Sequence, residues 1–162
     1  MNSKIAVIMP VYNAGKFLKG SIESVLAQKF KDISLICIDD VSIDDSSKII
    51  EEYSKNDSRV IYLKNDENSG PSATRNRGLD YVYENMPNVE YITFVDADDK
   101  IDENTFEKWY NEIDPKGIII EPFDFAEHRT FLLYSHVKVR IAASTGLFFF
   151  YEIKEVKIWK QM

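Results

Sequence analysis

Three short apolar runs, each cut off by a polar cluster, constrain this chain more than any other feature. Ile5 to Met9 runs into Pro10-Val11-Tyr12-Asn13, Ser34 to Ile38 into Asp39-Asp40, and Tyr91 to Val95 into Asp96-Ala97-Asp98-Asp99. Apolar runs of this length, bounded by breakers, read as buried strands. Helix-spaced segments lie between them. Phe17, Leu18, Ile22, Val25 and Leu26 mark the first. Ile49, Ile50 and Tyr53 mark a second, opened by a capping box of Ser42 and Asp45. Val60 to Leu63 reads as a further strand. Pro71 suits the first turn of a helix that Ala73, Leu79 and Val82 continue. A helix over 103–113 and a fifth strand over 117–120 complete the alternation.

Such alternation predicts an α/β fold, a mainly parallel sheet with helices on both faces. Its crossovers are right-handed. Ligands in such sheets bind at the carboxyl ends of the strands, where the strand order reverses. The three polar clusters should therefore meet on one edge, with Asp40 and Asp98 ending neighbouring parallel strands and facing one cleft. After about Glu121 the pattern fails. The expected organisation is an α/β domain over 1–120 and a short, atypical C-terminal segment over 121–162. In that segment 131–133 and 137–141 read as strands, and Lys154, Lys157 and Lys160 recur at every third position.

Charge narrows the function. Lys and Arg number 20 against 27 Asp and Glu, a formal net charge of −7. Binding a nucleic-acid backbone needs clustered Lys and Arg, so no nucleic-acid partner is expected. Hard cations, by contrast, want carboxylate oxygens. The lone cysteine, Cys37, cannot form an internal disulfide, and nothing points to an oxidising compartment. The apolar run at Ile5 is too short for a signal peptide. The charge-free stretch between Arg140 and Glu152 falls short of the roughly 18 residues of a membrane span. The expected location is the cytoplasm. The lysine stripe near the end leaves room for peripheral contact with the inner face of an anionic membrane, beside the plainer reading of a helix or strand packed on the core.

Asp96, Asp98 and Asp99 are the sharpest chemical feature. Three carboxylates within four residues repel one another, and a bound cation relieves that repulsion. Mg2+ or Mn2+ suits such a site, since each accepts a few carboxylates plus phosphate oxygens. The plain alternative is a solvated acidic turn capping the next helix. Asp39-Asp40 also follows a strand; a carboxylate there can accept from a nucleobase or ribose, or else cap the following helix. Asn13, Asn68, Ser69 and Gly70 stand on loops where they can reach a nucleotide, or serve as ordinary turn residues. Arg75 and Arg77 sit early in a helix, where positive charge is mildly unfavourable, which hints at an anionic partner. His128 and His136 have no partners at zinc-ligand spacing. There is no G-x-G-x-x-G, P-loop or nucleophile elbow.

Taken in order, Ile8 to Asn13, Ser24 to Gln28, Ile38 to Ser42, Asn68 to Ser72, Arg75 to Leu79 and Phe94 to Asp99 resemble the family 2 glycosyltransferases over roughly residues 1–115. The resemblance implies a GT-A (Rossmann-like) fold, a nucleotide-sugar donor, usually a UDP-sugar, and inverting, metal-dependent sugar transfer. Cell-surface polysaccharide or glycoconjugate biosynthesis is the expected setting, with a sugar or lipid-linked acceptor of unknown identity. The resemblance assigns Pro10, Val11, Tyr12, Asn13 and Asp40 to the nucleoside, with Asp39 beside them. It makes Asp96, Asp98 and Asp99 a D-x-D-type site: Asp98 approaches the ribose, Asp98 and Asp99 hold the metal, and Arg75 approaches the phosphates. Gly70 joins the nucleotide-binding set from its loop.

The sequence departs from the family in two places. Val41 stands where the family usually has glycine. A β-branched residue resists positive φ, so a different turn type is expected there. The family's catalytic base usually lies some 90 residues beyond the D-x-D site, and no Glu-Asp pair or Gln-x-x-Arg-Trp motif follows Asp99. The base is therefore unassigned. A non-catalytic nucleotide-sugar-binding fragment is the competing reading, and the chain is expected to bind donor but transfer sugar poorly by itself. A signalling receiver domain also ends strands in Asp pairs, but carries its pair after the first strand, whereas here a full strand and helix precede Asp39-Asp40.

Overall fold

A computed structural model of the chain describes residues 3–112 and three short strand segments at 134–135, 139–140 and 149–150. Strands β1 (Ile5–Val11), β2 (Ile33–Asp39), β3 (Val60–Lys64) and β4 (Tyr91–Phe94) alternate with helices α1 (Gly15–Leu26), α2 (Ser46–Asn56) and α3 (Gly70–Asn85). Helix α4 (Thr105–Glu112) follows β4. The sheet runs β3-β2-β1-β4-β5, with β5 at Tyr134–Ser135. The first four strands are parallel, and β5 pairs antiparallel to β4. A separate pair joins β6 (Val139–Arg140) to β7 (Phe149–Phe150).

Side-chain alternation along the central strands builds two cores. Ile5, Val7, Met9 and Val11 of β1, with Leu35 and Cys37 of β2, face α1, α2 and α4. Ala6 and Ile8, with Ile36 and Ile38, face α3 through Leu79 and Val82. Both faces of these strands are covered, so every residue from Ile33 to Asp39 is buried.

Order of the strands matters for function. The chain lays β2 and β3 to one side of β1 and then returns to place β4 on the other, so the order reverses between β1 and β4. Asp40 and Asp98 therefore do not follow neighbouring strands, as expected from the sequence; β1 lies between β2 and β4. Pairing of β1 with β2 continues to Val11↔Asp39, but pairing with β4 stops at Ile8↔Phe94. Ile8 faces β4, accepting from the Val95 N–H at 3.1 Å, while Val11 faces β2, accepting from the Asp40 N–H at 2.8 Å. Two residues after Ile8, Pro10 faces the β4 side and has no N–H to donate. The missing donor coincides with the place where β1 and β4 part, and a crevice opens there. Pro10 thus lies inside β1 rather than ending it.

Glycine is required once in the packing of α3. A Cβ on Gly78 would stand 2.6 Å from Ile8 Cγ2 and 3.1 Å from Ile38 Cδ1, both on buried strands. We expect Gly78→Ala to destabilise the fold by up to about 2 kcal/mol. Overpacking costs roughly 1–3 kcal/mol, and the helical preference of Ala returns about 1 kcal/mol. A denaturant midpoint at or above that of the wild type would contradict this packing.

The remaining differences are local. Helix α2 begins at Ser46 with Asp45 at its N-cap, so Ser42 does not open it. Helix α4 spans Thr105–Glu112, close to the expected 103–113. The expected strand at 117–120 and the lysine stripe at 154–160 lie outside the described residues. Among the described residues no helix is long and apolar enough to cross a membrane.

Candidate functional site

The crevice between the ends of β1 and β4 is a cleft of about 580 Å³, within the usual size range of small-molecule sites. Three walls enclose it. Pro10, Val11, Tyr12 and Asn13 come from the end of β1. Asp40, Gly70 and Arg75 come from the end of β2 and the start of α3. Asp96 and Asp98 come from the turn after β4. With Asn68, which also lines the cleft, ten of the residues expected from the sequence share it.

Asp39 and Asp40 part ways. Asp39 is fully buried and does not line the cleft. Its carboxylate accepts from the Ser42 N–H at 2.9 Å and from the Ser47 hydroxyl, holding the turn into α2. Successive residues of a strand point to opposite faces, so Asp40 turns towards α3. There Asp40 Oδ1 accepts from Asn65 Nδ2 at 2.5 Å and the Ser69 N–H at 2.9 Å, and Oδ2 accepts from the Gly70 N–H at 2.8 Å. Burial pushes the Asp40 pKa up. The Ser69 N–H, the Asn65 amide, the Gly70 N–H and the Thr74 hydroxyl outweigh it and hold the carboxyl below the usual range. Asp40 thus caps α3 from another loop, because Ser69 at the N-cap position makes no side-chain cap of its own. Asn65 is held in turn by Arg77, which donates to its Oδ1 at 2.7 Å.

The loop after β1 is stitched to the loop after β2. Asn13 adopts φ 50, which asparagine tolerates better than most residues. Its N–H donates to Ser42 Oγ at 3.0 Å, and its Oδ1 accepts from the Ile43 N–H at 2.9 Å. The Ala14 N–H donates to Ser46 Oγ at 3.0 Å and the Gly15 N–H to Asp44 Oδ2 at 2.9 Å. Helix α1 is therefore capped by the neighbouring loop.

Val41 corrects an expectation. It adopts φ 63, the left-handed conformation that favours glycine, so the turn keeps the glycine-type geometry with a β-branched residue in it. That conformation costs about 1–2 kcal/mol. Replacement by glycine removes the cost and adds about 0.5–1 kcal/mol of chain entropy. We expect Val41→Gly to raise stability by about 0.5–1 kcal/mol, read as a higher denaturant midpoint. A lower midpoint would mean the valine side chain supplies packing that exceeds its strain.

Asp96, Asp98 and Asp99 each present a carboxylate oxygen within 4.8 Å of the others. Asp98 is exposed, whereas Asp96 and Asp99 are half-buried. Three hard oxygen donors from one turn beside the cleft, two of them lining it, fit a Mg2+ or Mn2+ that leaves positions for phosphate oxygens. Arg75 already pairs with Asp96 across the cleft. Asp99 does not line the cleft itself; its N–H donates to the Asp96 carbonyl at 3.0 Å, closing the acidic turn.

Sequence reasoning missed several members of this site. Phe17 was expected on the core face of α1, yet it is 51% exposed and lines the cleft. Its position one turn after the Pro10–Asn13 loop is the signal that places it there. Thr74 also lines the cleft, and its buried hydroxyl accepts from Asn65 at 3.1 Å. Asn65 gives no sequence signal beyond being a polar loop residue.

Comparison with known proteins agrees with this geometry. The model of the family described as "Glycosyl transferase family 2" matches residues 6–153. Glycosyltransferase GlyA of Streptococcus pneumoniae is 39% identical over 113 residues, covering 70% of this chain and 15% of GlyA. Minor teichoic acid biosynthesis protein GgaB of Bacillus subtilis is 39% identical over 136 residues, covering 80% of this chain and 14% of GgaB. The chain thus spans about one-seventh of the length of these relatives. Among solved structures, S. aureus TarS 1-349 in complex with UDP-GlcNAc aligns with a TM-score of 0.59 at 29% identity, over 67% of this chain and 30% of that one. The mainly parallel sheet flanked by helices is thus that of a GT-A fold, and this chain belongs to glycosyl transferase family 2.

Proposed function

We propose that this domain holds the donor of an inverting glycosyltransferase, a UDP-sugar, with Mn2+ or Mg2+ between its diphosphate and the acidic turn. The observation that carries the reading is the meeting of the three-carboxylate turn with a nucleotide-sized cleft at the strand-order reversal. In this reading Pro10, Val11, Tyr12, Asn13, Asp40 and Gly70 face the nucleoside. Asp96 and Asp98 face the ribose and diphosphate, and Asp98 and Asp99 hold the metal. Arg75 stands in the same wall as a counter-charge for the phosphates. A bound cation supplies neutralisation of the charge that grows on the leaving diphosphate. UDP as the nucleotide is supported by TarS, whose structure holds UDP-GlcNAc.

The acceptor hydroxyl attacks the anomeric carbon from the face opposite the diphosphate and must lose its proton to a base within about 2.6–3.2 Å. No cleft residue is assigned that role. The name of GgaB places that relative in teichoic acid synthesis, which supports a cell-surface polysaccharide or lipid-linked acceptor and work at the inner face of the membrane. Calorimetric titration with UDP, UDP-GlcNAc and GDP, each in Mn2+ and in EDTA, tests the donor site. UDP ligands that bind more tightly than GDP, and more tightly in Mn2+ than in EDTA, are the expected result. No binding of any of the three sinks the proposal. Acceptor-dependent release of UDP distinguishes an enzyme from a donor-binding module.

A further inference from the structure

Helix α1 carries a polar stripe that the donor site does not use directly. Ser21 and Ser24 share one face of the helix, and Gln28 follows just past its C-cap, Ala27. Ser21 and Gln28 are fully buried. Buried polar side chains on a core-facing helix are costly unless hydrogen-bonded, and here each of the three, besides bonding the helix's own carbonyls, makes at least one hydrogen bond to the segment that contains and follows the acidic turn. Ser21 Oγ donates to the Ala97 carbonyl at 2.8 Å. Ser24 Oγ accepts from the Ile101 N–H at 3.2 Å. Gln28 Nε2 donates to the Asp102 carbonyl at 2.6 Å, and its Oε1 accepts from the Phe106 N–H at 3.0 Å. The main chain adds a fifth point, since the Lys29 N–H donates to the Glu103 carbonyl at 2.8 Å. Lys100 lies across the same face: a Cβ on Gly20 would stand 2.6 Å from Lys100 Cε.

We propose that Ser21, Ser24 and Gln28 are positioning residues that fix the spacing of Asp96, Asp98 and Asp99 for a divalent cation; this rests on the metal reading above. The Ala97 carbonyl gripped by Ser21 lies in the chain between Asp96 and Asp98, so its hydrogen bond sets how those two carboxylates are aimed. Gln28 anchors the segment beyond Asp99 at both ends of its amide. Three like charges do not hold themselves together. Without the grip, the turn relaxes to separate the carboxylates, and metal binding must then reassemble them. Groups that orient metal ligands from behind commonly affect affinity 10- to 100-fold.

The test is the ratio of UDP affinity in Mn2+ to UDP affinity in EDTA, measured by calorimetry on the wild type, Gln28→Met, Ser21→Ala and Val60→Ala. Gln28→Met keeps the side-chain length and removes both polar ends. Val60→Ala loosens the buried β3 edge, away from the acidic turn, as a control for general destabilisation. The expected result is a ratio about 10-fold lower in Gln28→Met, lower also in Ser21→Ala, and unchanged in Val60→Ala, with EDTA affinities alike in all four. If Gln28→Met does not fold, Ser21→Ala decides by the same ratio. Wild-type ratios in Gln28→Met and Ser21→Ala overturn the inference alone. A wild-type ratio of one overturns the metal reading and the inference with it.

Discussion

Asp99→Ala is expected to lower UDP affinity in Mn2+ by about 100-fold, a loss of about 2.7 kcal/mol, and to leave affinity in EDTA nearly unchanged. The asymmetry follows from geometry. Asp99 does not line the cleft, so it has no wall contact with the nucleotide to lose. It belongs to the carboxylate trio whose oxygens gather within 4.8 Å, so its effect passes through the cation. Removing a metal ligand outright should cost at least as much as removing a group that only orients one, commonly 10- to 100-fold. Asp98 lines the cleft as well, so Asp98→Ala should weaken UDP in both conditions, and more in Mn2+. Equal losses for Asp99→Ala in Mn2+ and EDTA would remove the metal from this site. Isothermal titration of the two variants, each checked for native circular dichroism, gives the answer.

The largest effect on stability is expected at Asp40. Its carboxylate, 3% exposed, accepts the Ser69 and Gly70 N–H groups and the Asn65 amide at once. Asp40→Ala leaves the buried Asn65 amide and the part-buried Ser69 and Gly70 N–H groups without this acceptor and removes a negative charge from the N-terminus of α3. A hydrogen bond to a charged group is worth about 1.5–3 kcal/mol, so losing three, two of them within reach of water, costs about 3–5 kcal/mol. For a chain of this length that corresponds to a fall in Tm of roughly 6–20 °C. The effect should depend on acidity with a definite sign. The folded-state pKa of Asp40 is lowered. Its contribution is therefore fully present above the unfolded carboxyl value of about 3.9 and is lost as pH falls through the lower folded value. Denaturant midpoints of wild type and Asp40→Asn should differ most near neutral pH and converge in strong acid. A constant gap from pH 7 to pH 2 would mean that Asp40 acts by shape and not by charge.

Much of the architecture was legible in the residues because it rests on short-range signals. Apolar runs such as Ser34 to Ile38 are too short and too β-branched to be helices. Pro71 fits the first turn of a helix, where its missing N–H needs no partner. The sheet's parallel character followed from strand–helix alternation, and the acidic turn announced itself by placing three carboxylates in four positions. What stayed hidden was long-range. Nothing near Asp39 or Asp40 tells which of the pair turns towards the cleft; that depends on strand phase relative to α3. Phe17 carries the same apolar signature as Leu18, yet the first is exposed at the cleft and the second buried, because the loop before α1 sets where the helix meets the sheet. Val41 argued against a left-handed turn, and the turn is left-handed nonetheless. The reason is that both flanks are pinned: the Asp40 N–H to Val11, and the Ser42 N–H to Asp39.

Residue order alone therefore settled the kinds of element, the strand ends at which the polar clusters stand and the grouping of three carboxylates in one turn, since each follows from patterns a few residues long. Folding in three dimensions settled which strands are neighbours, with β1 between β2 and β4, and so which clusters share a wall. It also settled that α1 and α3 take their caps from other loops, and that Ser21, Ser24 and Gln28 grip a turn more than 70 positions away. The physical reason is the same in each case. A buried donor or acceptor must find a partner, and the partner is whichever group the packed sheet brings within about 3 Å, whatever its distance along the chain.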